Sequence, residues 1–183
     1  MRVITGDLRG KKLVTLDGER VRPTSDKVKE AMFSIIQFDL PGAEVLDLFA
    51  GSGQLGIEAI SRGANHCVFV DKSKDSIAVV RENVESCKIA SKTRILNYDA
   101  LDYLKMAPKS FDIAFLDPPY ENGLVAMALP LLEPKMNPMG IVVCEHESKL
   151  NLPESIGRLI KRKTYSYGKV IALTVYDCRA DEE

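Results

Sequence analysis

Five short apolar runs rich in β-branched and aromatic side chains punctuate the chain: EVLDLF (44–49), HCVFVD (66–71), TRILNYD (93–99), FDIAFLD (111–117) and GIVVCEHE (140–147). Segments of helical period lie between them. The clearest is SKDSIAVVRENVESC (73–87), with Ser73 placed as an N-cap and Ile77, Val80 and Val84 on one face. Strands alternating with helices in this way predict a parallel sheet wrapped by helices. Upstream, VRPTSDKVKEAMFSIIQF (21–38) sets Val28, Ala31, Met32, Ile35 and Ile36 on one helical face. Thr24 or Ser25 can cap that helix, and Asp26 suits its first turn, where an acid meets the positive end of the helix dipole. The tail RLIKRKTYSYGKVIALTVYDC (158–178) breaks the alternation. Two strand-like runs meet there at YSYGKV, with Gly168 as turn or bulge residue, so an antiparallel hairpin is expected. The first 16 residues read as a short basic hairpin. No internal repeat, low-complexity tract or long linker interrupts the pattern.

A chain of 183 residues fits one domain over 1–183, with a basic N-terminal hairpin extension (1–20) on a core (21–183). The start MRVITGDLRG has no apolar signal-like centre, and runs such as VAMALPLL (125–132) fall far short of the ~18 residues of a membrane span. A soluble, cytoplasmic protein without membrane contact is expected, and nothing demands more than a monomer. The four cysteines, Cys67, Cys87, Cys144 and Cys178, stand apart with no C-x-x-C pair and are read as reduced. In CEHE (144–147), strand alternation turns Cys144 and His146 one way and the two glutamates the other, so ordinary alternation is favoured over a metal site.

The net charge of −1 conceals two basic ends. Residues 1–12 hold Arg2, Arg9, Lys11 and Lys12 against Asp7 alone, and residues 158–169 hold Arg158, Lys161, Arg162, Lys163 and Lys169 with no acid. Either cluster alone reads as a solvated face. Two of them flanking a site suit a polyanion such as nucleic acid.

Ligands of open α/β sheets bind beyond the carboxyl ends of the strands, and four informative segments fall at such ends. The first run leads into DLFAGSGQLG (47–56), the second ends at Asp71, the third at Asp99, and the fourth at DPPY (117–120). Gly51, Gly53 and Gly56 form a G-x-G-x-x-G pattern, which permits a tight turn, close ligand approach and close helix packing, or serves only the turn. A dinucleotide would place its pyrophosphate at this loop, yet Asp47 lies four residues before Gly51 and would oppose an anion. S-adenosylmethionine has no phosphate, and its sulfonium and amino group are favoured by a nearby carboxylate. Asp71 is then placed to hold the ribose diol and Asp99 the adenine amino group, although each acid also reads as an exposed strand end.

DLFAGSGQLGIEAISRGA followed by VFVD, then FDIAFLDPPY, with VRPTSDKVKEAMFSII ahead of them, resembles the bacterial small-subunit ribosomal RNA guanine-N2 methyltransferase family (RsmD type). The resemblance covers nearly the whole chain, including the basic start RVITGDLRGKKL and the terminal hairpin. DPPY belongs to a wider group of amino-methylating enzymes, and its combination with R-P-T-x-D is more selective. The resemblance implies a Rossmann-like class I methyltransferase: α/β, a mostly parallel seven-stranded sheet with helices on both faces, a C-terminal antiparallel hairpin and an N-terminal β-hairpin extension. It implies Arg22 and Thr24 at the methionine end of the cofactor, Gly51 and Gly53 as its backbone cradle, Asp71 at the ribose, and Asp99 with Ala100 at the adenine. The expected partner is ribosomal RNA or the small ribosomal subunit, with Arg2, Arg9, Lys11 and Lys12 as RNA contacts. The chain departs from many relatives in having Thr5-Gly6 in place of consecutive glycines, and from some in having Leu8 in place of an aromatic residue.

Prolines fix their own backbone and withhold N–H donors, so DPPY leaves Asp117, two carbonyls and Tyr120 in a stiff arrangement. An exocyclic base amine has its lone pair delocalised into the ring, and acceptors for its hydrogens favour the pyramidal nitrogen that attacks. Asp117 and the Pro118 carbonyl are the expected acceptors, Pro118 and Pro119 the stiffeners, and Tyr120 a stacking surface. The competing role for these residues is to start a helix, with Asp117 as cap and Pro119 at its first turn. Other readings are an adenine-N6 methyltransferase on DNA or RNA, a dinucleotide-dependent oxidoreductase, and a catalytically silent RNA-binding module.

Overall fold

Each apolar run forms a strand: β1 (Glu44–Asp47), β2 (His66–Asp71), β3 (Thr93–Asn97), β4 (Phe111–Leu116) and β5 (Met136–Glu147). The computed structural model describes residues 1–16, 25–120 and 123–181. Helices α1 (Ser25–Ile35), α2 (Gln54–Ser61), α3 (Lys74–Ser86), α4 (Ala100–Met106) and α5 (Leu124–Leu132) precede or separate the strands. The tail supplies β6 (Ser155–Ile156), β7 (Leu159–Tyr167) and β8 (Ile171–Cys178), and Gly168 turns between the last two at a φ of 67°. The sheet order is β3-β2-β1-β4-β5-β8-β7-β6, with β1 to β5 parallel and the rest antiparallel. Among the described residues, eight strands stand where seven were expected. The extra one, β6, is two residues long and pairs only with β7, too short to leave a periodic signal.

Alternation along the strands sorts the core into two layers. Val45, Phe69, Ile113, Phe115, Ile141 and Val143 face α1, α2 and α3; Leu46, Val68, Ala114, Val142 and Cys144 face α4 and α5. Ser73 caps α3 as expected, its hydroxyl accepting from the Ser76 N–H at 3.2 Å. In α1, Val28 and Met32 are buried, as is Ile36 just past its end, whereas Ala31 and Ile35 are only half-buried. The buried stripe includes Phe33, whose ring lies 5.4 Å from that of Phe115 on β4. Thr24, one of the two expected caps, lies outside the described residues, and Ser25 opens the helix.

The strand order reverses between β1 and β4, which pair through Asp47↔Phe115. Such a switch point opens a crevice at the carboxyl ends of the two strands. All four cysteines are buried free thiols, and burial raises the Cys67 and Cys144 pKa values far above the usual range. Cys144 and His146 point away from Glu145 and Glu147, and His146 Nε2 pairs with the Thr174 hydroxyl at 2.7 Å. Among the described residues, no helix is long and apolar enough to cross a membrane.

Candidate active site

The turn from β1 into α2 depends on glycine at two points. Gly53, the N-cap of α2, has a φ of +83°, and its N–H closes the turn on the Ala50 carbonyl at 2.7 Å. A Cβ on Gly56 would lie 2.3 Å from the Phe69 ring and 2.6 Å from Cys67 Sγ, so glycine alone lets α2 press onto β2. The loop's N–H groups meet carboxylates. Gly51 donates to Asp71 Oδ2 at 2.9 Å and Gly56 to Asp47 Oδ2 at 3.0 Å. A pyrophosphate would require such donors for itself and would face both acids. This donor set fits a cationic cofactor and argues against a dinucleotide.

Asp47 stands behind the loop, 1% exposed. Burial pushes its carboxyl up to about 7; the Gly56 N–H opposes that rise and the neighbouring Asp71 carboxylate adds to it. Asp71, half-buried, also accepts from the Ser73 N–H at 2.8 Å through Oδ1 and so joins the loop to the start of α3. Asp99 is the N-cap of α4, its Oδ1 accepting from the Leu101 and Asp102 N–H groups at 3.0 and 3.1 Å. Ala100, next to it, is buried. The expectations for Arg22 and Thr24 lie outside the described residues.

Asp117 and Gly51 line one small open cleft of about 100 Å³, together with Phe49, Ala50, Ser52 and Leu55. Pro118 is buried and Pro119 exposed. Helix α5 begins only at Leu124, with Gly123 as N-cap, so Asp117 and Pro119 do not open it. Tyr120 packs half-buried against the α1-side core, and its hydroxyl donates to Glu145 Oε1 on β5 at 3.2 Å. That bond is not legible from CEHE, where Glu145 reads only as one side of an alternating strand.

Among the described residues, the N-terminal extension closes as a hairpin with a single bridge, Arg2↔Lys12. A longer ladder is lacking because the arm's N–H groups go to side chains of α2 and α3. Ile4 and Thr5 donate to the two oxygens of Glu58, Leu8 to Ser61 Oγ, and Val14 to Asn83 Oδ1, all at 2.8–3.0 Å. Asn83 Nδ2 also donates to the carbonyls of Val14 and Ser52, at 2.9 Å each, and so couples the arm to the glycine loop. Arg62 Nε meets Glu58 at 2.9 Å, and Lys29 Nζ lies 3.1 Å away as an ion pair off the hydrogen-bond axis. Sequence patterns carried no sign of the buried pair Lys29 and Glu58, 3% and 0% exposed.

Arg2, Arg9, Lys11 and Lys12 are exposed on this arm, while Leu8 turns inward onto the core. The C-terminal cluster is offset in part. Arg158 pairs with Glu133 and Asp181, Lys161 with Glu154, and Arg162 with Asp177, while Lys163 and Lys169 are exposed.

Helices on both faces of a 3-2-1-4-5 parallel core, an antiparallel tail and a carboxylate-held glycine loop define a class I, Rossmann-like methyltransferase. The chain belongs to the family described as Conserved hypothetical protein 95, which matches residues 1–176. It is 37% identical over 171 residues to Ribosomal RNA small subunit methyltransferase D of Haemophilus influenzae (strain ATCC 51907 / DSM 11121 / KW20 / Rd), covering 90% of this chain and 88% of that one. The solved structure "Putative methyltransferase yhhF from Escherichia coli" aligns over 99% of both chains with a TM-score of 0.87 and 29% identity. The Thermus thermophilus 16S rRNA N2 G1207 methyltransferase (RsmC), solved with AdoMet and guanosine, aligns over 90% of this chain and 45% of that one. Its TM-score is 0.73 at 22% identity, a likeness of fold.

Proposed function

We propose that this protein transfers the methyl group of S-adenosylmethionine to the exocyclic N2 amine of a guanine in small-subunit ribosomal RNA, in the cytoplasm. The observation that carries the reading is the shared cleft: Asp117 of DPPY and Gly51 of the glycine loop border the same space. Carboxylate-held loop donors support a cationic cofactor there. In this reading Arg22 and Thr24 meet its methionine end, Gly51 and Gly53 cradle it, Asp71 takes the ribose, and Asp99 with Ala100 borders the adenine. Asp47 steadies the loop from behind.

When bound, the cofactor supplies an electrophilic methyl carbon on a sulfonium. Asp117 Oδ and the Pro118 carbonyl accept the two amine hydrogens and so favour the pyramidal nitrogen that attacks. Pro118 and Pro119 hold these acceptors in place, and Tyr120 stacks on the base. No proton need leave beforehand, because methylation makes the nitrogen acidic. A base inside a duplex cannot reach such a pocket, so the guanine is unpaired or extruded, at a cost of a few kcal/mol partly offset by stacking worth about 1–3 kcal/mol. Arg2, Arg9, Lys11 and Lys12 grip flanking phosphates.

The test is to incubate the protein and labelled donor with small subunits, bare RNA and DNA from a strain lacking the enzyme, then map the label. One N2-methylguanine in small-subunit RNA is the expected result. Label on adenine, or only in DNA, overturns the reading.

A further inference from the structure

Strands β4 and β5 run parallel, with Leu116 opposite Cys144. One residue further on, Asp117 follows the end of β4, and Glu145, still within β5, is the next position on the neighbouring strand. Glu145 continues the alternation that points Val143 toward the α1-side core. Tyr120 packs against that same layer, and its hydroxyl bonds Glu145. Across the sheet, Glu145 pairs with Leu173 and Leu173 with Tyr165, so the next side chains on this face are apolar and aromatic. A second carboxylate therefore stands beside the DPPY acceptors, half-buried and tied to the stacking ring.

A positioned carboxylate only accepts hydrogen bonds, and it offers several acceptor sites. The Watson–Crick edge of guanine carries adjacent donors, the N1–H and the N2 amine, whereas adenine carries an unprotonated N1 there. We propose that Glu145 selects guanine by accepting its N1–H while it holds the Tyr120 ring in place. This deepens, and rests on, the proposed guanine-N2 methylation. Asp117 and Pro118 address the amine, and Glu145 addresses the ring nitrogen next to it. An N1 acceptor would confront a half-buried carboxylate without a proton between them, which is costly.

Once the modified guanosine is mapped, short RNA substrates are made with guanosine or 2-aminopurine at that position. The analogue keeps the 2-amine and presents an acceptor at N1. Wild-type protein is expected to prefer guanosine by roughly 10²-fold or more in kcat/KM. Glu145→Gln presents an amide donor to N1 and is expected to cut the preference below about tenfold, with cofactor affinity by calorimetry unchanged. Tyr120→Phe removes the hydroxyl bond but keeps ring and carboxylate, and it is expected to retain the preference.

Equal wild-type rates on both substrates overturn the proposal without any variant. So does an unchanged preference in Glu145→Gln, or a loss in Tyr120→Phe as large as in Glu145→Gln, which would mean that Glu145 acts only through the ring. Absence of guanine methylation in the mapping step defeats the functional reading itself. Methylation with an unaltered preference in Glu145→Gln defeats only the assignment of Glu145.

Discussion

Two aspartates at neighbouring strand ends differ in what surrounds them. Asp117 borders the cleft, where an acceptor can act on a reacting amine. Asp117→Ala is expected to lower kcat by about 10²-fold or more while leaving the cofactor dissociation constant within about threefold, the pattern of a group that acts mainly in the transition state. Single-turnover methyl transfer and calorimetry check the two halves. Asp47 is buried, with its carboxyl pushed up to about 7, so the native state holds the proton more tightly than the unfolded chain does. Its contribution is therefore most favourable below the unfolded aspartate value of about 3.9, falls as pH rises toward about 7, and levels off above. Asp47→Asn keeps an acceptor for the Gly56 N–H and removes this slope. Urea unfolding should show the variant gaining on the wild type between about pH 4 and 7, by on the order of a few kcal/mol.

At the scale of elements, the N-terminal arm is held to α2 by Ser61 and by the buried carboxylate of Glu58. Burial alone would raise the Glu58 carboxyl, but Lys29 beside it, the Ile4 N–H and Arg62 outweigh this and hold it below the usual glutamate range. Its stabilisation is present above the unfolded glutamate pKa and is lost as pH falls through the lower folded value. Glu58→Ala leaves Lys29 buried without its partner and the Ile4 and Thr5 N–H groups without acceptors. A loss of about 3–5 kcal/mol is expected. Hydrogen exchange should show Ile4 and Thr5 losing protection first, and the rate on RNA should fall further than cofactor affinity. Helix α1 shows the other limit of element-level reading. Its period marks Val28, Met32 and Ile36 but misses Phe33, whose contact with Phe115 turns the buried face toward β4.

For the whole molecule, the near-neutral net charge conceals which cations face solvent. Those of the C-terminal cluster at Arg158, Lys161 and Arg162 are matched by acids, while those of the arm are exposed. RNA affinity should therefore fall steeply with salt, and each of Arg9→Ala, Lys11→Ala and Lys12→Ala should reduce the log–log salt slope by about 0.7–0.9. Arg162→Ala should leave that slope near its wild-type value. Filter binding across a salt series separates the two groups.

The five parallel strands, the capped α3, the glycine turn and the DPPY corner could all be read from the chain. Each is written in local terms: side-chain period, a hydroxyl before a helix, residues that restrict or free a single backbone unit. The folded structure alone decided that Asp47 supports the loop from behind, that Glu58 is buried with Lys29, that Glu145 meets Tyr120 and that Arg162 meets Asp177. A side chain's dielectric surroundings and partners depend on which elements meet across the sheet, and in these cases the partners arrive from 9 to 29 positions away. No period within one element carries that information.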